Sequence, residues 1–352
     1  MVGEIAMRAF KLVKNHRTVV SYTIIEKHPI DADEKLGWKA TENYHNEAIL
    51  QDGGGNYYKS VVTSDANGFK MFGNTKANQK IFIVGDSFTQ AIEVSNDKTY
   101  YGVLAKKINN MEIFTYGVRG YGSLQEFMVI DKLIDEIKPQ LLILQLCPND
   151  FINNDYDLEV RSYENNNGMR RPYLDISGNI FYKNPKNIAD PPEILLRYSR
   201  LINFMHNKIE VIYRDINKPK TIEREIEREG QGHRLFRQSE AITKKIMDMI
   251  KARTSGTPVI TFCFTDTQPY YDAFKRMAGL EGFGFIEGIP EAIKAYEQKG
   301  YVAVAADQGH WNELGHRIAA EKIYEFLVSR GVISEKQAET TGKKERPAAA
   351  RP

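Results

Sequence analysis

The sequence predicts an α/β protein: a three-layer α/β/α sandwich around a central parallel sheet. From residue 80 onward, short apolar runs alternate with segments of helical spacing, which is the pattern of consecutive βα units. The run Leu141–Leu146 is apolar on both faces of a strand. A strand of this kind fits a parallel sheet that helices cover on both sides.

The alternation occupies two parts of the chain. The first part predicts strands at 80–84, 112–116 and 141–146, with helices at 98–108 and 124–137 between them. Pro139 ends the second of these helices, because proline cannot continue the helical hydrogen-bond ladder. The second part predicts helices at 238–253, 270–278, 291–298 and 312–330, with strands at 258–264, 284–289 and 301–305.

Other regions flank or interrupt this alternation. Residues 1–79 predict an N-terminal helix and a small β-rich leader, with a glycine-rich turn at 52–55. The main domain is expected at 80–333, with an insertion or lid at about 151–235, where asparagines, prolines and a run of mixed charges break the rhythm. The polar tail at 334–352 is expected to be disordered.

Composition restricts the class of protein. The chain has 352 residues, 42% of them hydrophobic and 27% charged, which allows a sizeable core and excludes wholesale disorder. The net charge of +2 argues against a protein built to wrap nucleic acid. With only two cysteines, Cys147 and Cys263, a disulfide scaffold and a four-cysteine zinc site are both excluded.

No apolar run approaches the roughly 18–20 residues that a bilayer-spanning helix needs. Residues 1–14 lack the continuous apolar block of a signal peptide and fit a short amphipathic docking helix. As written, the sequence is therefore expected to belong to a soluble, unexported, cytoplasmic protein, although a chain trimmed of a leader would look the same. No pattern in the sequence indicates its oligomeric state.

The segment Gly85-Asp86-Ser87 directly follows a predicted buried strand and precedes a helix. A serine there lies at the carboxyl edge of the sheet, where ligands bind in open α/β folds. It also lies near a helix N-terminus, whose free N–H groups favour developing negative charge. Ser87 is therefore a candidate nucleophile, and the alternative is that Asp86 or Ser87 serves only to cap the helix.

Asp307 and His310 stand between the last predicted strand and the last predicted helix, so they are expected at the same edge. Their three-residue spacing lets the carboxylate bind one ring nitrogen while the other nitrogen faces the cleft. That arrangement fixes the tautomer and stabilises the imidazolium that forms when the ring takes a proton from a serine. The alternative is a surface Asp-His pair without a chemical role.

Asn149 and Gly120 follow the two remaining strands of the first part. An Asn149 amide aimed into the cleft can donate to an oxyanion, although Asn-Asp after a strand is usually an Asx-turn. Glycines at 117–122 let the backbone approach a ligand and offer N–H groups, but their spacing does not match a dinucleotide site. Together, the strand ends supply the parts needed for acyl transfer: nucleophile, oxyanion donors, base and orienter.

This ordered set of motifs resembles the SGNH/GDSL hydrolase superfamily. The matching segments are Gly85-Asp86-Ser87-Phe88-Thr89, Gly120 within its glycine-rich loop, Pro148-Asn149-Asp150 and Asp307-Gln308-Gly309-His310. The sequence departs from the family pattern at Gln90-Ala91, where members often have a glycine, and at Cys147, which replaces the glycine of Gly-x-Asn-Asp. Both departures bear on the shape of the pocket more than on its chemistry.

The resemblance implies a flavodoxin-like SGNH fold and a serine esterase. It implies Ser87 as the nucleophile, His310 as the general base and Asp307 as its orienter. The implied oxyanion hole consists of the N–H groups of Ser87 and Gly120 and the side chain of Asn149. No metal or other cofactor is implied. The expected reaction is hydrolysis of an O-acyl or O-acetyl ester of a small molecule or carbohydrate through an acyl-enzyme.

Two alternatives share the same scaffold. An O-acetyltransferase would pass the acyl group to a carbohydrate hydroxyl instead of to water, and a non-catalytic carbohydrate-binding or assembly protein would keep the fold without turnover. A nucleotide-binding domain is disfavoured because the phosphate-loop pattern is absent. The other residues of chemical interest are expected to pack in the core: Cys147, Cys263, His316, Tyr270, Tyr271, Phe274 and Trp311.

Overall fold

The structure is a computed structural model that describes residues 29–108, 111–185 and 221–333, with the helical residues Leu201, Ile202, Met205, Ile209, Ile212 and Ile216. The helix predicted within residues 1–14 and the disordered tail predicted at 334–352 lie outside the described residues. The strands are β1 (Ile30–Asp33), β2 (Gly37–Ala40), β3 (His45–Gln51), β4 (Tyr57–Thr63), β5 (Lys80–Gly85), β6 (Glu112–Gly117), β7 (Leu141–Leu146), β8 (Arg171–Leu174), β9 (Ile180–Lys183), β10 (Val259–Cys263) and β11 (Gly284–Ile286). The helices are α1 (Ser87–Gln90), α2 (Tyr100–Lys107), α3 (Ser123–Ile137), α4 (Asn149–Asn154), α5 (Tyr156–Glu159), α6 (Ile222–Glu229), α7 (Arg234–Arg253), α8 (Tyr270–Glu281), α9 (Ile289–Glu297) and α10 (Glu313–Ser329), with 3₁₀ turns at Asn96–Lys98 and Gly230–Gly232.

The central sheet of the described chain has five parallel strands in the order β11-β10-β7-β5-β6. Counted along the chain and read from the β6 edge, this is the flavodoxin-like order 2-1-3-4-5. The chain leaves β5 for β6 on one side and then crosses to β7 on the other side. The carboxyl ends of β5 and β7 therefore border the switch point, where open α/β folds bind ligands.

Helices cover both faces of this sheet, which confirms the predicted three-layer α/β/α sandwich. Alternate residues of β5 enter separate cores, because side chains along a strand point to opposite faces. Phe82 and Val84 pack with α3, α7 and α8, whereas Ile81 and Ile83 pack with α2, α9 and α10. All of β7 is buried. Every helix in the described ranges is too short or too polar to span a bilayer.

The predicted strand at 301–305 is wrong. Within the described residues the sheet ends at β11, and this segment instead forms isolated bridges, Val304 with Trp311 and Ala305 with Asp52. Ala303 and Ala305 are nevertheless buried. A short apolar run signals burial, but the run does not show whether its backbone pairs in the main sheet or packs across it as a loop.

Antiparallel hairpins from outside the sandwich reach the carboxyl edge of the sheet. β1–β2 and β3–β4 belong to the N-terminal leader, and β8–β9 belongs to the insertion. Arg171 of β8 fastens the insertion to the domain. Its Nη1 donates to the carbonyl of Gly120 at 2.9 Å and lies 3.4 Å from the carboxylate of Glu159, and both ionic side chains are at most 1% exposed.

The Arg171–Glu159 pair generates a stability prediction. Arg171→Met leaves the buried Glu159 carboxylate without its cation, which should lower the free energy of unfolding by about 3–5 kcal/mol in urea denaturation. The double variant Arg171→Met with Glu159→Gln removes the uncompensated charge and should recover part of the loss. If the single variant is as stable as the unmodified protein, the pair does not fasten the insertion.

Candidate active site

Ser87 is the first residue of α1, directly beyond the end of β5. Asp86 caps this helix, because its Oδ1 accepts from the N–H of Phe88 at 3.0 Å. The capping alternative therefore belongs to Asp86 and leaves the Ser87 hydroxyl available. A side chain at Gly85 would collide with Thr89 and Gln145, so the tight exit from the strand requires glycine there.

A chain of hydrogen bonds connects Ser87 to Asp307 through one imidazole. Ser87 Oγ lies 2.9 Å from His310 Nε2, and His310 Nδ1 lies 2.5 Å from Asp307 Oδ2. With the ring proton on Nδ1, Nδ1–H donates to the carboxylate and Nε2 accepts from the serine hydroxyl. The N–H groups of Gly309 and His310 donate to Asp307 Oδ1 at 3.0 and 3.1 Å, which fixes the carboxylate against the ring.

The loop that carries Asp307 and His310 lies at the sheet edge, although the segment before it is not a strand of the central sheet. The N–H of Gly53, in the turn between β3 and β4, donates to the carbonyl of Val304 at 2.9 Å. The N–H of Ala305 donates to the carbonyl of His310 at 2.8 Å and closes the loop on itself. The leader hairpin therefore helps to set the position of the imidazole.

Ser87 and Gly120 line the same cavity as this chain of hydrogen bonds. Among the described residues, the backbone N–H of neither residue has a hydrogen-bond acceptor. Gly120 has φ +71°, and a Cβ there would collide with the side chain of Asn167, so this position requires glycine. Free N–H groups in such a place can stabilise a developing oxyanion.

The side chain of Asn149 lines the same cavity from the start of α4. One hydrogen of its amide donates to Asn153 Oδ1 at 3.1 Å, which leaves the other hydrogen for a ligand. The turn before it is held by Asp150, whose Oδ2 accepts from the N–H of Cys147 at 3.0 Å. Cys147 Sγ also contacts Asn149 Oδ1, so the residue that replaces the family glycine touches the amide.

All five residues singled out from the sequence, Ser87, Gly120, Asn149, Asp307 and His310, line one cavity of about 420 Å³. Sequence reasoning missed the remaining polar residues of its wall. These are Gln90, Glu93, Arg119, Asn153, Glu164, Asn165 and Asn167. The sequence predicts an insertion or lid at about 151–235, but nothing in its asparagine run shows which of these side chains line the cavity.

Glu93 is the most consequential of the missed residues. Its Oε1 lies 3.7 Å from His310 Nδ1, on the same ring atom that Asp307 contacts. Its Oε2 is buried and has no hydrogen-bond partner in the described part of the chain. Burial raises the pKa of Glu93, and the nearby charge of His310 acts in the opposite direction. The imidazole thus has two carboxylates beside Nδ1.

These acids set the protonation of His310. Burial disfavours the charged imidazole, but the hydrogen bond to Asp307 and the charges of Glu93 and Asp307 outweigh burial and raise the pKa of His310 to about 9. Burial also opposes the charged form of Asp307, yet its hydrogen bond to His310 holds the pKa of that carboxyl well below its usual value. The pair therefore favours imidazolium and carboxylate over the two neutral forms.

Within the described ranges, Glu93, Asp307 and His310 also form a group of potential metal ligands, with donor atoms within 4.8 Å of one another. A cation bound there would use the His310 Nδ1 that now contacts Asp307. Metal binding and the Asp307–His310 hydrogen bond would therefore exclude each other.

The residues expected to pack in the core are buried. Cys147 and Cys263 are free thiols, and burial raises the pKa of both. His316 Nδ1 accepts from the N–H of Tyr100 at 3.2 Å, and burial lowers the pKa of this imidazole to about 3, so it is neutral. The aromatic residues expected in the core are also buried: Tyr270, Tyr271, Phe274 and Trp311.

The contact between Glu93 and His310 predicts a shift in titration. Glu93→Gln removes a negative charge 3.7 Å from Nδ1, so it should lower the pKa of His310 from about 9. Nuclear magnetic resonance of the labelled imidazole, recorded over a pH series, measures this. Glu287→Gln, at an exposed acid outside the cavity, is the matched control and should leave the pKa of His310 unchanged. An unchanged His310 pKa in the first variant would mean that Glu93 does not act on the ring.

One of the comparisons with known proteins identifies the family of this chain. The model of the GDSL-like lipase/acylhydrolase family matches residues 81–323, whereas no curated protein matches the chain. Among solved structures, the chain is similar to a member of the lipolytic G-D-S-L family from Veillonella parvula, at 14% identity and TM-score 0.39, over 70% of this chain and 97% of that one. It is also similar to the psychrotrophic esterase EstA from a Pseudoalteromonas species, at 9% identity and TM-score 0.41, over 73% and 100% of the two chains. The acetylxylan esterase Axe2 from Geobacillus stearothermophilus shares 13% identity at TM-score 0.36, over 71% and 94%. Because the family match spans most of its length, the chain belongs to the GDSL-like lipase/acylhydrolase family and is a hydrolase that acts on ester bonds.

Proposed function

We propose that this protein hydrolyses an O-acyl ester, in particular an O-acetyl ester of a carbohydrate or similar polyol, through an acyl-enzyme on Ser87. The observation that carries the proposal is the continuous chain from Ser87 Oγ through His310 to Asp307, at 2.9 and 2.5 Å. A serine hydroxyl is a weak nucleophile unless an adjacent base takes its proton. This geometry supplies the base and orients it.

In the first half of the reaction, Ser87 Oγ attacks the ester carbonyl carbon while its proton moves to His310 Nε2. Charge develops on the carbonyl oxygen, where the N–H groups of Ser87 and Gly120 and the amide of Asn149 donate to it. Each such donor contributes roughly 10²–10³ in rate. Collapse of this intermediate breaks the bond to the alcohol oxygen, which leaves with the proton from Nε2.

In the second half, water attacks the acyl-enzyme in the position that the alcohol vacated. His310 Nε2 takes a proton from that water, the tetrahedral intermediate forms again, and the acid departs as Ser87 Oγ regains its proton. The imidazolium that exists in each intermediate lies beside Asp307 and Glu93. Their negative charges stabilise the ring when it carries the transferred proton.

The cavity wall supports a polar alcohol as the leaving group. Amide and carboxylate side chains make up half of its lining residues and offer both donors and acceptors to hydroxyl groups. Aromatic surface in the wall comes from Phe88 and Phe264, whose rings stack at 3.9 Å between centroids. A small acyl group on a polyhydroxylated alcohol fits this distribution.

The nucleophile can be tested directly. Ser87→Ala should abolish turnover of p-nitrophenyl acetate and labelling by a fluorophosphonate probe, and it should leave the melting temperature nearly unchanged because only one hydroxyl is removed. Ser177→Ala, at an exposed serine in the turn after β8, is the control and should retain both activities. Retained turnover in the Ser87 variant would require a different nucleophile.

An assay with acetylated sugars separates hydrolysis from transfer. The sugars are supplied with and without a free sugar acceptor, and the amount of free acetate is compared with that of acetylated product. The proposal expects acetate under both conditions. Predominant acetylation of the acceptor would instead support the transferase alternative, and absence of both labelling and turnover would support the non-catalytic one.

The pH dependence follows from the pKa of His310. Only the neutral imidazole accepts the serine proton, so kcat/KM should rise about tenfold per pH unit on the acid side and level off near the pKa of about 9. Glu93→Gln should move this rise to lower pH, because it removes a charge that favours imidazolium. A profile that is flat from neutral pH to about 9 would contradict a role for His310 as the base.

A further inference from the structure

Trp38, in strand β2 of the N-terminal leader, makes an unexpected contact at the candidate active site. Its side chain is only 1% exposed. Its indole N–H donates to the carbonyl oxygen of Arg119 at 3.0 Å. These two residues are 81 positions apart, so the contact exists only because the leader folds against the loop after β6.

The acceptor of this bond belongs to a specific peptide unit. The carbonyl of Arg119 and the N–H of Gly120 lie on one planar peptide, because the bond between them has partial double-bond character. Holding the carbonyl therefore also holds the N–H, which lies in the same plane and points in the opposite direction. Gly120 lines the cavity, and its N–H has no acceptor among the described residues.

The loop needs such a restraint. Gly120 has no side chain and sits at φ +71°, and glycine is the residue whose backbone rotates most freely. Hydrogen bonds fix the neighbouring groups: Gln90 Oε1 accepts from the N–H of Arg119 at 3.3 Å, and Arg171 donates to the carbonyl of Gly120 at 2.9 Å. The indole of Trp38 adds a third hydrogen bond, to the Arg119–Gly120 peptide, whose N–H would donate to an oxyanion.

The bond also changes the donor strength of the peptide. A hydrogen bond accepted by a carbonyl polarises its peptide and makes the N–H of the same unit a better donor, by about 10–30% per bond. An oxyanion hole is effective because its donors are aimed before charge develops. The bond from Trp38 to the carbonyl of Arg119 therefore affects both the orientation and the donor strength of the Gly120 N–H.

We infer that Trp38 is a positioning residue of the oxyanion hole, acting through the Arg119–Gly120 peptide. This inference rests on the proposed function, in which the Gly120 N–H donates to the oxyanion. It makes the leader part of the reaction machinery, although the leader contributes no group that touches the substrate.

Trp38 is itself held on several sides. Its carbonyl accepts from the hydroxyl of Tyr121 at 2.7 Å, and the guanidinium of Arg171 lies over its ring at 5.1 Å. One residue before β2, the carbonyl of Leu36 accepts from Gln125 Nε2 at 2.6 Å. Because several contacts hold the backbone and the ring of Trp38, loss of any one of them should leave the indole oriented toward Arg119.

The test compares Trp38→Phe with Tyr121→Phe in the full chain. Trp38→Phe keeps an aromatic ring but removes the indole N–H. It should lower kcat for p-nitrophenyl acetate roughly tenfold, less than the 10²–10³ expected for loss of a whole donor, because the Gly120 N–H remains. KM should stay within twofold and the pH profile unchanged. Tyr121→Phe removes the bond to the Trp38 carbonyl and should leave kcat near that of the unmodified protein.

A second variant guards against misfolding. Replacing Trp38 with benzothienylalanine keeps the shape of the indole and exchanges only the N–H for sulfur, and it should give the same loss of kcat at an unchanged melting temperature. Unchanged kcat in this variant overturns the inference while the proposed function stands. Equal losses in the Tyr121 and Trp38 variants overturn it as well, since loosening of the leader would then explain both. If the unmodified protein shows neither turnover nor fluorophosphonate labelling, the proposed function fails and the inference fails with it.

Discussion

The structure depends on one geometric constraint, which is that parallel strands all end at the same edge of their sheet. β5, β6 and β7 pair in parallel register, so the residues after each of them emerge side by side. Ser87, Gly120 and Asn149 therefore meet although they lie far apart along the chain. The helices that follow β5 and β7 begin at Ser87 and Asn149, which places helix N-termini at this edge.

The electrostatics of the cavity involve a compromise at His310. Two carboxylates beside Nδ1 stabilise the imidazolium, which in the proposed mechanism is the form present after proton transfer, and they raise the pKa of the ring to about 9. The same interaction reduces the fraction of neutral base near neutral pH. Asp307 is half-exposed and holds the ring by a direct hydrogen bond, whereas Glu93 is more buried and acts by charge. Both acids therefore raise the basicity of the ring, and Asp307 in addition fixes its orientation.

The segments outside the sandwich are integral to this edge. The leader supports the His310 loop through Gly53 and the Gly120 peptide through Trp38. The insertion supports the same glycine from the other side through Arg171, and its asparagines form part of the cavity wall. A minimal sandwich would supply the reacting groups, but the leader and the insertion restrain the loops that carry them.

The sequence by itself determined the fold class, the positions of most strands and helices, and the candidate residues. This was possible because hydrophobic periodicity and glycine, proline and capping signals are local, and because strand ends in a parallel sheet converge by rule. Only the tertiary structure decided that residues 301–305 form a loop, that Glu93 shares the His310 ring with Asp307, and that Trp38 contacts the Arg119 carbonyl. Each of these depends on contacts between distant segments. An acid in a loop or a tryptophan in a short strand has no local pattern that reveals its partner.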